Sequence, residues 1–473
     1  MSSITTITMV DGVRVVVPDS LNLITPYVLM EQNDWFEDEI KFLRRLLQPG
    51  QKVIDIGANY GVYTLSMAQT VGATGEVWAF EPASSTAELL AKGIEANGFS
   101  HVVLEQSALS SASGTAQLSL NENSELNALV TDGLSTDESE AVPLVTIDEC
   151  MDKYGWQDIA FMKIDAEGEE ANILKGGKRF FGELSPLIEY EIKAGEDLHM
   201  ELVQHFAEIG YDSYRLVPGL NLLVPFDPES LVDGYLLNLF CCKKDRAKKL
   251  ADDGFLTPSF PKYPARGMEV FEDILTKARN SSEHHWEHTV AQLPYGAKLA
   301  NLWKKTVTAG NSIEVEEAMA CYALSRDTLF SATERFDALE ASFSQLDILC
   351  RRQPSFLRLA SLARVAQDYG ARAIATDALN QLMDAIIQQN QIDPSEPFLA
   401  PCERFDSIPP GEAIGNWVLA AVMEQFERLG YFSSFYSGDS GLQRLNTIHA
   451  LGFVSDEMER RLNLLQQRYG SNG

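Results

Sequence analysis

The chain has 473 residues, 38 of them basic and 68 acidic, and a formal net charge of -30 at pH 7. This length predicts two or three domains, and the excess of acid disfavours nucleic acid and anionic membranes as partners. The N-terminus is neither basic nor apolar, and no uncharged run could span a bilayer, so the sequence predicts a cytoplasmic protein.

From about residue 50, strand-like runs alternate with helix-like runs. Five strand-like runs come first, at 52–57, 76–82, 101–110, 161–168 and 186–192. Such alternation predicts a parallel sheet with helices on both faces. Two more runs, 211–217 and 235–242, follow with no clear helix between them, so we expect an antiparallel hairpin at the sheet edge. Seven strands, mostly parallel, are therefore predicted for residues 1–250.

The pattern changes beyond residue 250. Pro258, Pro261 and Pro264 indicate a linker at 251–267, and residues 268–473 have helical periodicity throughout. Within them, 355–386 reads as two helices joined at "DYGAR" and resembles a tetratricopeptide-type hairpin. This all-α domain carries no recognisable chemistry, but the aromatic residues in "NLWKK" and "RLGYFSSFYSG" suit contacts to a sugar ring or a protein partner.

The first strand leads into "VIDIGANYGVYTLSMA", Val53 to Ala68. Gly57 permits a sharp turn where a Cβ would occupy ligand space, and Gly61 permits close packing as a helix begins. A dinucleotide site would have G-x-G-x-x-G, but Asn59 fills the space of the middle glycine. Asp55 suits an ammonium or a sulfonium, and helix N–H groups with Thr64 suit a carboxylate. These features favour the amino-acid end of S-adenosylmethionine.

The next two strands end in residues suited to the rest of that cofactor. Glu81 stands at the end of the second strand, where a carboxylate can accept hydrogen bonds from both ribose hydroxyls. Ser107 and Ala108 follow the third strand, where the adenine ring would rest. Because NAD would use an acid like Glu81 too, this residue alone does not decide between the two cofactors.

In order along the chain, "VIDIGANYGVYTLSMA", "GEVWAFEP", "VPLVTIDE", "MKIDAEGEEANILKGG" and "PLIEYEI" resemble the FkbM family of S-adenosylmethionine-dependent methyltransferases, over about Trp35 to Cys242. The resemblance implies a Rossmann-like class I methyltransferase fold and O-methylation of sugars, glycans or secondary metabolites. It assigns Asp55, Gly57, Asn59, Gly61 and Glu81 to the cofactor. Lys163, Asp165, Glu167 and Gly168 correspond to the family's fourth-strand signature, with Ala166 where the family usually has Val.

Methylation of a hydroxyl needs a base near the acceptor oxygen. Strand alternation would point Lys163, Asp165 and Glu167 in one direction, and either acid suits the role of base. Lys163 would hold an anionic oxygen or pair with an acid, while Glu191 would add a third carboxylate to the rim. The structural alternative is a Lys163–Glu167 ion pair with Asp165 as a helix cap.

Metal sites receive little support from the sequence. The carboxylates near the fourth strand would suit a divalent cation such as magnesium, but no spacing requires one. His284 and His288 of "EHHWEH" would stand one helical turn apart, without a third ligand at helical spacing. We expect an ordinary polar helix face there.

Three classes of function fit these patterns. The first is an O-methyltransferase with a small-molecule or glycan acceptor. The second is a nicotinamide-dependent oxidoreductase, which Asn59 disfavours. The third is a non-catalytic S-adenosylmethionine-binding scaffold whose helical tail binds a protein partner. The motifs do not identify the acceptor.

Overall fold

The computed structural model describes residues 3–121, 123–130, 139–194, 197–263, 268–308, 313–354, 356–389 and 392–469. By internal contacts the chain divides into two compact units. The first comprises Met1–Leu216, Pro225–Val232 and Leu236–Asp253, and the second comprises Val217–Val224, Asp233–Tyr235 and Gly254–Gly473.

The elements up to residue 252 alternate between strand and helix, as predicted, over residues 52–105, and elsewhere they include consecutive elements of one kind. They are β1 (Ile4–Thr8), β2 (Arg14–Pro18), α1 (Ile24–Gln32), α2 (Asp38–Leu46), β3 (Lys52–Ile56), α3 (Val62–Val71), β4 (Glu76–Phe80), α4 (Ser84–Asn97), β5 (Val102–Glu105), β6 (Ala108–Leu109), β7 (Gly114–Ser119), β8 (Ser139–Val145), α5 (Ile147–Tyr154), β9 (Phe161–Ile164), α6 (Glu170–Gly176), α7 (Lys178–Glu183), β10 (Leu187–Glu191), β11 (Lys193–Ala194), β12 (Asp197–Leu198), α8 (Glu201–Glu208), β13 (Asp212–Val217), β14 (Leu222–Pro225), β15 (Asn238–Cys242) and α9 (Lys244–Asp252).

The main sheet has the order β14-β13-β15-β10-β9-β3-β4-β5. Its five strands from β10 to β5 run parallel, while β15 pairs antiparallel with both β10 and β13. The predicted mostly parallel sheet with an antiparallel edge is thus confirmed. It has eight strands instead of seven. The additional strand, β14, lies between the two expected hairpin runs along the chain and forms the edge of the sheet beside β13.

The third strand-like run is only partly a strand of the main sheet. It ends at Glu105, and the chain then forms the short strand β6, which joins β7 and β8 in a separate sheet of order β6-β8-β7. The fourth strand likewise ends at Ile164. Asp165 and Glu167 therefore lie in the turn after β9, so strand alternation does not set their directions.

All four residues of β9 are buried, as are the last four of β3 and the first four of β10, so both faces of these central strands are covered. Ile54 and Ile56 of β3, Met162 of β9 and Ile188 of β10 belong to one core cluster and are at most 2% exposed. Burial of such a continuous apolar run is typical of a parallel sheet covered by helices. This core fixes the strand ends that carry the polar side chains described below.

From Met268 onward, every regular element in the described residues is helical. The α-helices are α10 (Glu272–Asn280), α11 (Pro294–Thr308), α12 (Ile313–Arg326), α13 (Ala332–Arg352), α14 (Phe356–Tyr369), α15 (Arg372–Gln389), α16 (Ile414–Leu429), α17 (Gly438–Ala450) and α18 (Asp456–Tyr469). Helices α14 and α15 form the predicted pair, with Gly370 at φ 88° in the turn between them. Their tetratricopeptide-like character stays a prediction.

The predicted linker at 251–267 is described only in part. Residues 264–267 of the predicted linker lie outside the described residues, and Leu256 and Thr257 before them are buried. The division into domains at 250 and 268 stays a prediction.

The helical spacing assumed for His284 and His288 was wrong, because no regular helix connects Asn280 to Val290. His284 is buried, with Nδ1 2.7 Å from Ser281 Oγ and Nε2 3.1 Å from Asp327 Oδ2. Among the described helices, none is long and apolar enough to cross a membrane.

Candidate functional site

A pocket opens at the carboxyl ends of β3, β4 and β9, within the first unit. It encloses about 1040 Å³, including space that is open to solvent. Ligands of open α/β sheets bind at this edge, where neighbouring strands connect in opposite directions. Nine of the twelve predicted site residues line the pocket: Asp55, Gly57, Asn59, Glu81, Ser107, Ala108, Lys163, Asp165 and Glu167. Gly61, Thr64 and Glu191 lie outside the lining.

The turn after β3 is shaped by three residues with positive φ. Gly57, Asn59 and Gly61 have φ of 80°, 49° and 88°. A Cβ at Gly57 would lie 1.7 Å from the Asp165 carbonyl oxygen. This glycine therefore allows the ends of β3 and β9 to pack against each other. The expected reason for a glycine here, that a Cβ would occupy ligand space, was wrong. A Cβ at Gly61 would lie 2.3 Å from Leu90 Cδ1, which agrees with the close packing expected there.

Asp55 presents one unpaired carboxylate oxygen. Its Oδ2 accepts a hydrogen bond from Thr64 Oγ1 at 2.5 Å, while Oδ1 is buried without a hydrogen-bond partner among the described residues. Burial raises the pKa of Asp55, against the opposing charge of Lys163. Thr64 thus positions Asp55 instead of facing the pocket. A buried carboxylate oxygen without a partner is costly, and a cationic or N–H-bearing ligand would satisfy it.

Glu81 lies directly after β4 and faces the same pocket. Its Oε2 accepts from the backbone N–H of Asn59, and its Oε1 accepts from that of Ala83, both at 2.9 Å. These bonds fix the carboxylate, and each oxygen keeps a further lone pair for a ligand hydroxyl. Burial raises the pKa of Glu81 to about 7.

Ser107 and Ala108 form the wall beyond Glu81. Ser107 Oγ is buried and has no hydrogen-bond partner among the described residues, and Ala108 is 9% exposed. One polar group beside a small apolar surface is the arrangement predicted for the contact with adenine. Among the described residues that line the pocket, three buried side-chain atoms have no hydrogen-bond partner: Asp55 Oδ1, Ser107 Oγ and Glu125 Oε2.

Lys163 lies on β9 beside Asp55, its partner in the parallel β3–β9 register. Its Nζ lies 2.5 Å from Asp165 Oδ2 and 4.8 Å from the centroid of the Tyr63 ring. The pair thus involves Asp165 instead of Glu167, and Asp165 does not cap a helix. Lys163 is 5% exposed, and its pKa is raised against the effect of burial. The acids that raise it are Asp165, Glu189, Glu37 and Asp55.

Three carboxylates meet beside this ion pair. Asp165, Glu167 and Glu191 each offer an oxygen within 4.8 Å of the others. Burial raises the pKa of Glu167 to about 8 and that of Glu191 to about 9, and the charge of Asp165 adds to both effects. Glu167 also has φ 47°, which is uncommon for a residue with a Cβ. The group can hold shared protons or oxygen-bound cations.

The sequence motifs missed several residues of this pocket. Trp35, Glu37 and Tyr63 line it, as do Ser124 and Glu125 from a short 3-10 helix after β7. Tyr63 lies within the stretch Val53 to Ala68, so its position beside the glycine turn could have indicated that it is a pocket residue. Trp35 and Glu37 precede α2, and no periodicity or spacing connects "WFE" to a site formed by later strands.

Residues 55–213, about a third of the chain, match the family model described as "Methyltransferase FkbM domain". This segment is therefore similar to the methyltransferase domains that the family model describes. It contains every predicted site residue and begins at Asp55. The helices that follow residue 213 lie outside the match, as do Trp35 and Glu37. No curated protein sequence matches the chain.

Solved structures of methyltransferases are among those similar to the chain. They include an O-methyltransferase from Bacillus cereus in complex with SAH (14% identity, TM-score 0.27, 44% of this chain and 80% of that chain). A SAM-dependent methyltransferase from Aquifex aeolicus is also similar (14% identity, TM-score 0.26, 46% of this chain and 93% of that chain). An rRNA methylase from Streptococcus thermophilus is similar too (12% identity, TM-score 0.26, 43% of this chain and 93% of that chain). At these identities nothing about the acceptor follows.

The main sheet has the mostly parallel order, with an antiparallel edge, of a Rossmann-like class I methyltransferase fold, and helices follow in the rest of the chain. At the position of the middle glycine of a dinucleotide motif, Asn59 uses its side chain within the protein. Its Oδ1 accepts from the Tyr60 N–H at 2.7 Å and from Ser124 Oγ at 2.9 Å. The side chain is therefore engaged within the protein, at a position where a dinucleotide motif has a glycine.

Proposed function

We propose that the protein is a methyltransferase that moves a methyl group from S-adenosylmethionine to a hydroxyl oxygen. The observation that carries the cofactor is that Asp55 Oδ1 and Ser107 Oγ, two of the three buried atoms without a partner on the described pocket lining, share the pocket with Glu81. Asp55 would bind the ammonium, Glu81 the ribose hydroxyls, and Ser107 with Ala108 the adenine. When bound, the cofactor supplies a methyl group activated by its sulfonium charge.

The acceptor would be activated at the other end of the pocket. As the new oxygen–carbon bond forms and the sulfur–carbon bond breaks, the hydroxyl proton must pass to a base. We assign this role to Glu167, because Asp165 is engaged with Lys163 at 2.5 Å. The pKa of about 8 gives the Glu167 carboxylate enough basicity to take a proton near neutral pH.

The Lys163–Asp165 pair would orient the acceptor and balance charge beside it. Lys163 is almost fully buried, whereas the Asp165 side chain is 35% exposed, so the pair presents its acid to the pocket. A divalent cation held by Asp165, Glu167 and Glu191 is the alternative arrangement. We propose that the reaction proceeds without one, because Asp165 is already paired with Lys163 at 2.5 Å.

Sugars, glycans and secondary metabolites are the acceptor classes that the FkbM resemblance implies. The helical part would contribute to acceptor recognition or bind a protein partner. The second candidate function, a non-catalytic scaffold that binds the cofactor, would also use Asp55, Glu81 and Ser107. Glu167 lines the pocket and its raised pKa makes it basic enough to take a proton, which favours catalysis over this scaffold.

Methyl transfer can be tested without knowing the acceptor. The full-length protein is incubated with methyl-labelled S-adenosylmethionine and an extract of its host cells, and labelled products are identified by mass spectrometry. We expect a labelled methyl ether and an equal amount of S-adenosylhomocysteine. Binding of the cofactor without any labelled product would favour the scaffold. A labelled amine, thiol or ring carbon would overturn the assignment to oxygen.

A further inference from the structure

Part of the pocket wall comes from the chain before the matched domain. Trp35 and Glu37, just ahead of α2, line the pocket together with residues of β3, β4 and β9. They precede Asp55, where the match to the family model begins. Neither belongs to the set of residues that would hold the cofactor.

Contacts place Glu37 at the acceptor end. Its Oε2 accepts a hydrogen bond from Tyr63 Oη at 2.5 Å. The Tyr63 ring lies 4.8 Å from Lys163 Nζ, and that nitrogen lies 2.5 Å from Asp165 Oδ2. A continuous chain of contacts therefore runs from Glu37 to the turn that carries the candidate base Glu167.

Electrostatics agree with this position. Burial raises the pKa of Glu37, the charge of Lys163 opposes the shift, and that of Asp165 adds to it. Glu37 in turn contributes to the raised pKa of Glu191. Glu37 thus interacts with the charged groups around the candidate base, whereas the charge that adds to the raised pKa of Glu81 comes from Asp55 and Glu140.

The orientation of Glu37 is fixed before any ligand binds. Tyr63 donates to it, and a hydrogen bond from Trp35 stabilises its charged form. Two carboxylate oxygens offer about four lone pairs, so these two bonds leave capacity for a ligand. A polar group that neighbouring side chains hold in place at a pocket wall is suited to select a ligand hydroxyl.

We propose that Glu37 is a specificity-determining residue that binds a second hydroxyl of the methyl acceptor, and that Tyr63 is the positioning residue that orients it. This inference rests on the proposed methyltransferase function. It assigns acceptor recognition to a segment that lies before the matched domain and that the sequence motifs did not indicate.

The test compares Glu37→Gln with Asp38→Asn in the full-length protein. Asp38 is the next acid along the chain, is 45% exposed and pairs with Lys41 on the surface at 2.8 Å, which makes it a matched control. Cofactor affinity is measured by calorimetry with S-adenosylmethionine. Methyl transfer is measured with labelled cofactor over a dilution series of host-cell extract, which gives an apparent KM and a maximal rate.

For Glu37→Gln we expect an unchanged cofactor affinity and a maximal rate close to that of the parent. The apparent KM for the extract should be at least about tenfold higher, which is the loss expected for one buried hydrogen bond to a charged group. Asp38→Asn should match the parent in all three. Tyr63→Phe, which keeps the ring beside Lys163 but removes the donor to Glu37, should raise the apparent KM in the same direction.

The outcomes separate this inference from the function on which it rests. If the parent protein transfers no methyl group, the proposed function fails. If the parent is active and Glu37→Gln has an unchanged apparent KM, the role of Glu37 is refuted. It is equally refuted if Glu37→Gln folds but loses cofactor affinity, or if only its maximal rate falls, because Glu37 would then act on the cofactor or on the chemical step.

Discussion

The backbone N–H of Asn59 donates a 2.9 Å hydrogen bond to Oε2 of Glu81, which connects the turn after β3 to the end of β4. The left-handed conformation of Asn59, φ 49°, belongs to the turn that presents this N–H. The Ala83 N–H binds the other oxygen of Glu81. These two bonds hold Glu81 at the pocket wall and leave lone pairs for the ribose hydroxyls that we propose it binds.

Replacing this carboxylate should weaken cofactor binding. We expect Glu81→Ala to reduce the affinity for S-adenosylmethionine by about 1.5–3 kcal/mol, the range for hydrogen bonds to a charged group. Glu76→Ala, at the exposed start of the same strand, should bind normally because Glu76 only pairs with Lys52 on the surface. Calorimetry gives both values. An unchanged affinity in folded Glu81→Ala would exclude the ribose site.

Cofactor affinity should also depend on pH. The ionised form of Glu81 accepts two hydroxyl hydrogen bonds, and burial raises its pKa to about 7. Protonation below this pKa removes acceptor capacity, so the affinity should be lower at pH 6, rise through pH 7 and level off near pH 8. Titrations at these three values measure it. The same affinity at pH 6 and pH 8 would contradict ribose binding by an ionised Glu81.

Gly57 should tolerate no side chain. Gly57→Ala places a Cβ 1.7 Å from the Asp165 carbonyl oxygen and keeps an unfavourable positive φ. Gly98, at the end of α4, has φ 70° and open space where a Cβ would lie, so Gly98→Ala bears only the conformational cost of roughly 1–2 kcal/mol. We expect a larger fall in the thermal unfolding midpoint for Gly57→Ala and loss of cofactor binding. Equal midpoints for the two variants would show that the strand ends separate easily.

Glu167 should control the chemical step. We expect Glu167→Gln to keep cofactor affinity and to lose about 10²–10⁴-fold in the maximal rate of methyl transfer. Because the base must be ionised and the pKa of Glu167 is about 8, the parent rate should rise with pH up to about 8. Single-turnover measurements between pH 6 and pH 9 give this profile.

The contrary results for Glu167 are equally clear. A Glu167→Gln rate near that of the parent would transfer the role to Asp165. EDTA should leave the parent rate unchanged. If EDTA abolishes the rate and magnesium restores it, Asp165, Glu167 and Glu191 hold a cation, and the proposal of a free base is wrong.

The sequence predicted those parts of the fold that depend on local patterns. Alternating apolar runs identified the parallel strands, and the glycine motif located the turn that carries Asn59. Contacts between distant segments were not predictable in this way. The clash partner of Gly57 is the carbonyl of Asp165, and the hydroxyl partner of Asp55 is Thr64; both follow only from the packing of strand ends and helix α3.

The candidate site shows the same division. Acids at strand ends, such as Glu81, could be assigned because position along a strand determines position in a parallel sheet. Glu37 could not, because "WFEDE" reads as an ordinary helix start, and its contact with Tyr63 joins segments 26 residues apart. The turn after β9 also escaped strand alternation, since the strand ends one residue before Asp165.

The central claim is that the pocket at the ends of β3, β4 and β9 binds S-adenosylmethionine. Calorimetry of the full-length protein with S-adenosylmethionine, S-adenosylhomocysteine and NAD tests it most directly. We predict saturable binding of one S-adenosylmethionine and one S-adenosylhomocysteine per chain, each weakened by Glu81→Ala, and no binding of NAD. Binding of NAD, or the absence of binding by both S-adenosyl compounds, would contradict the claim.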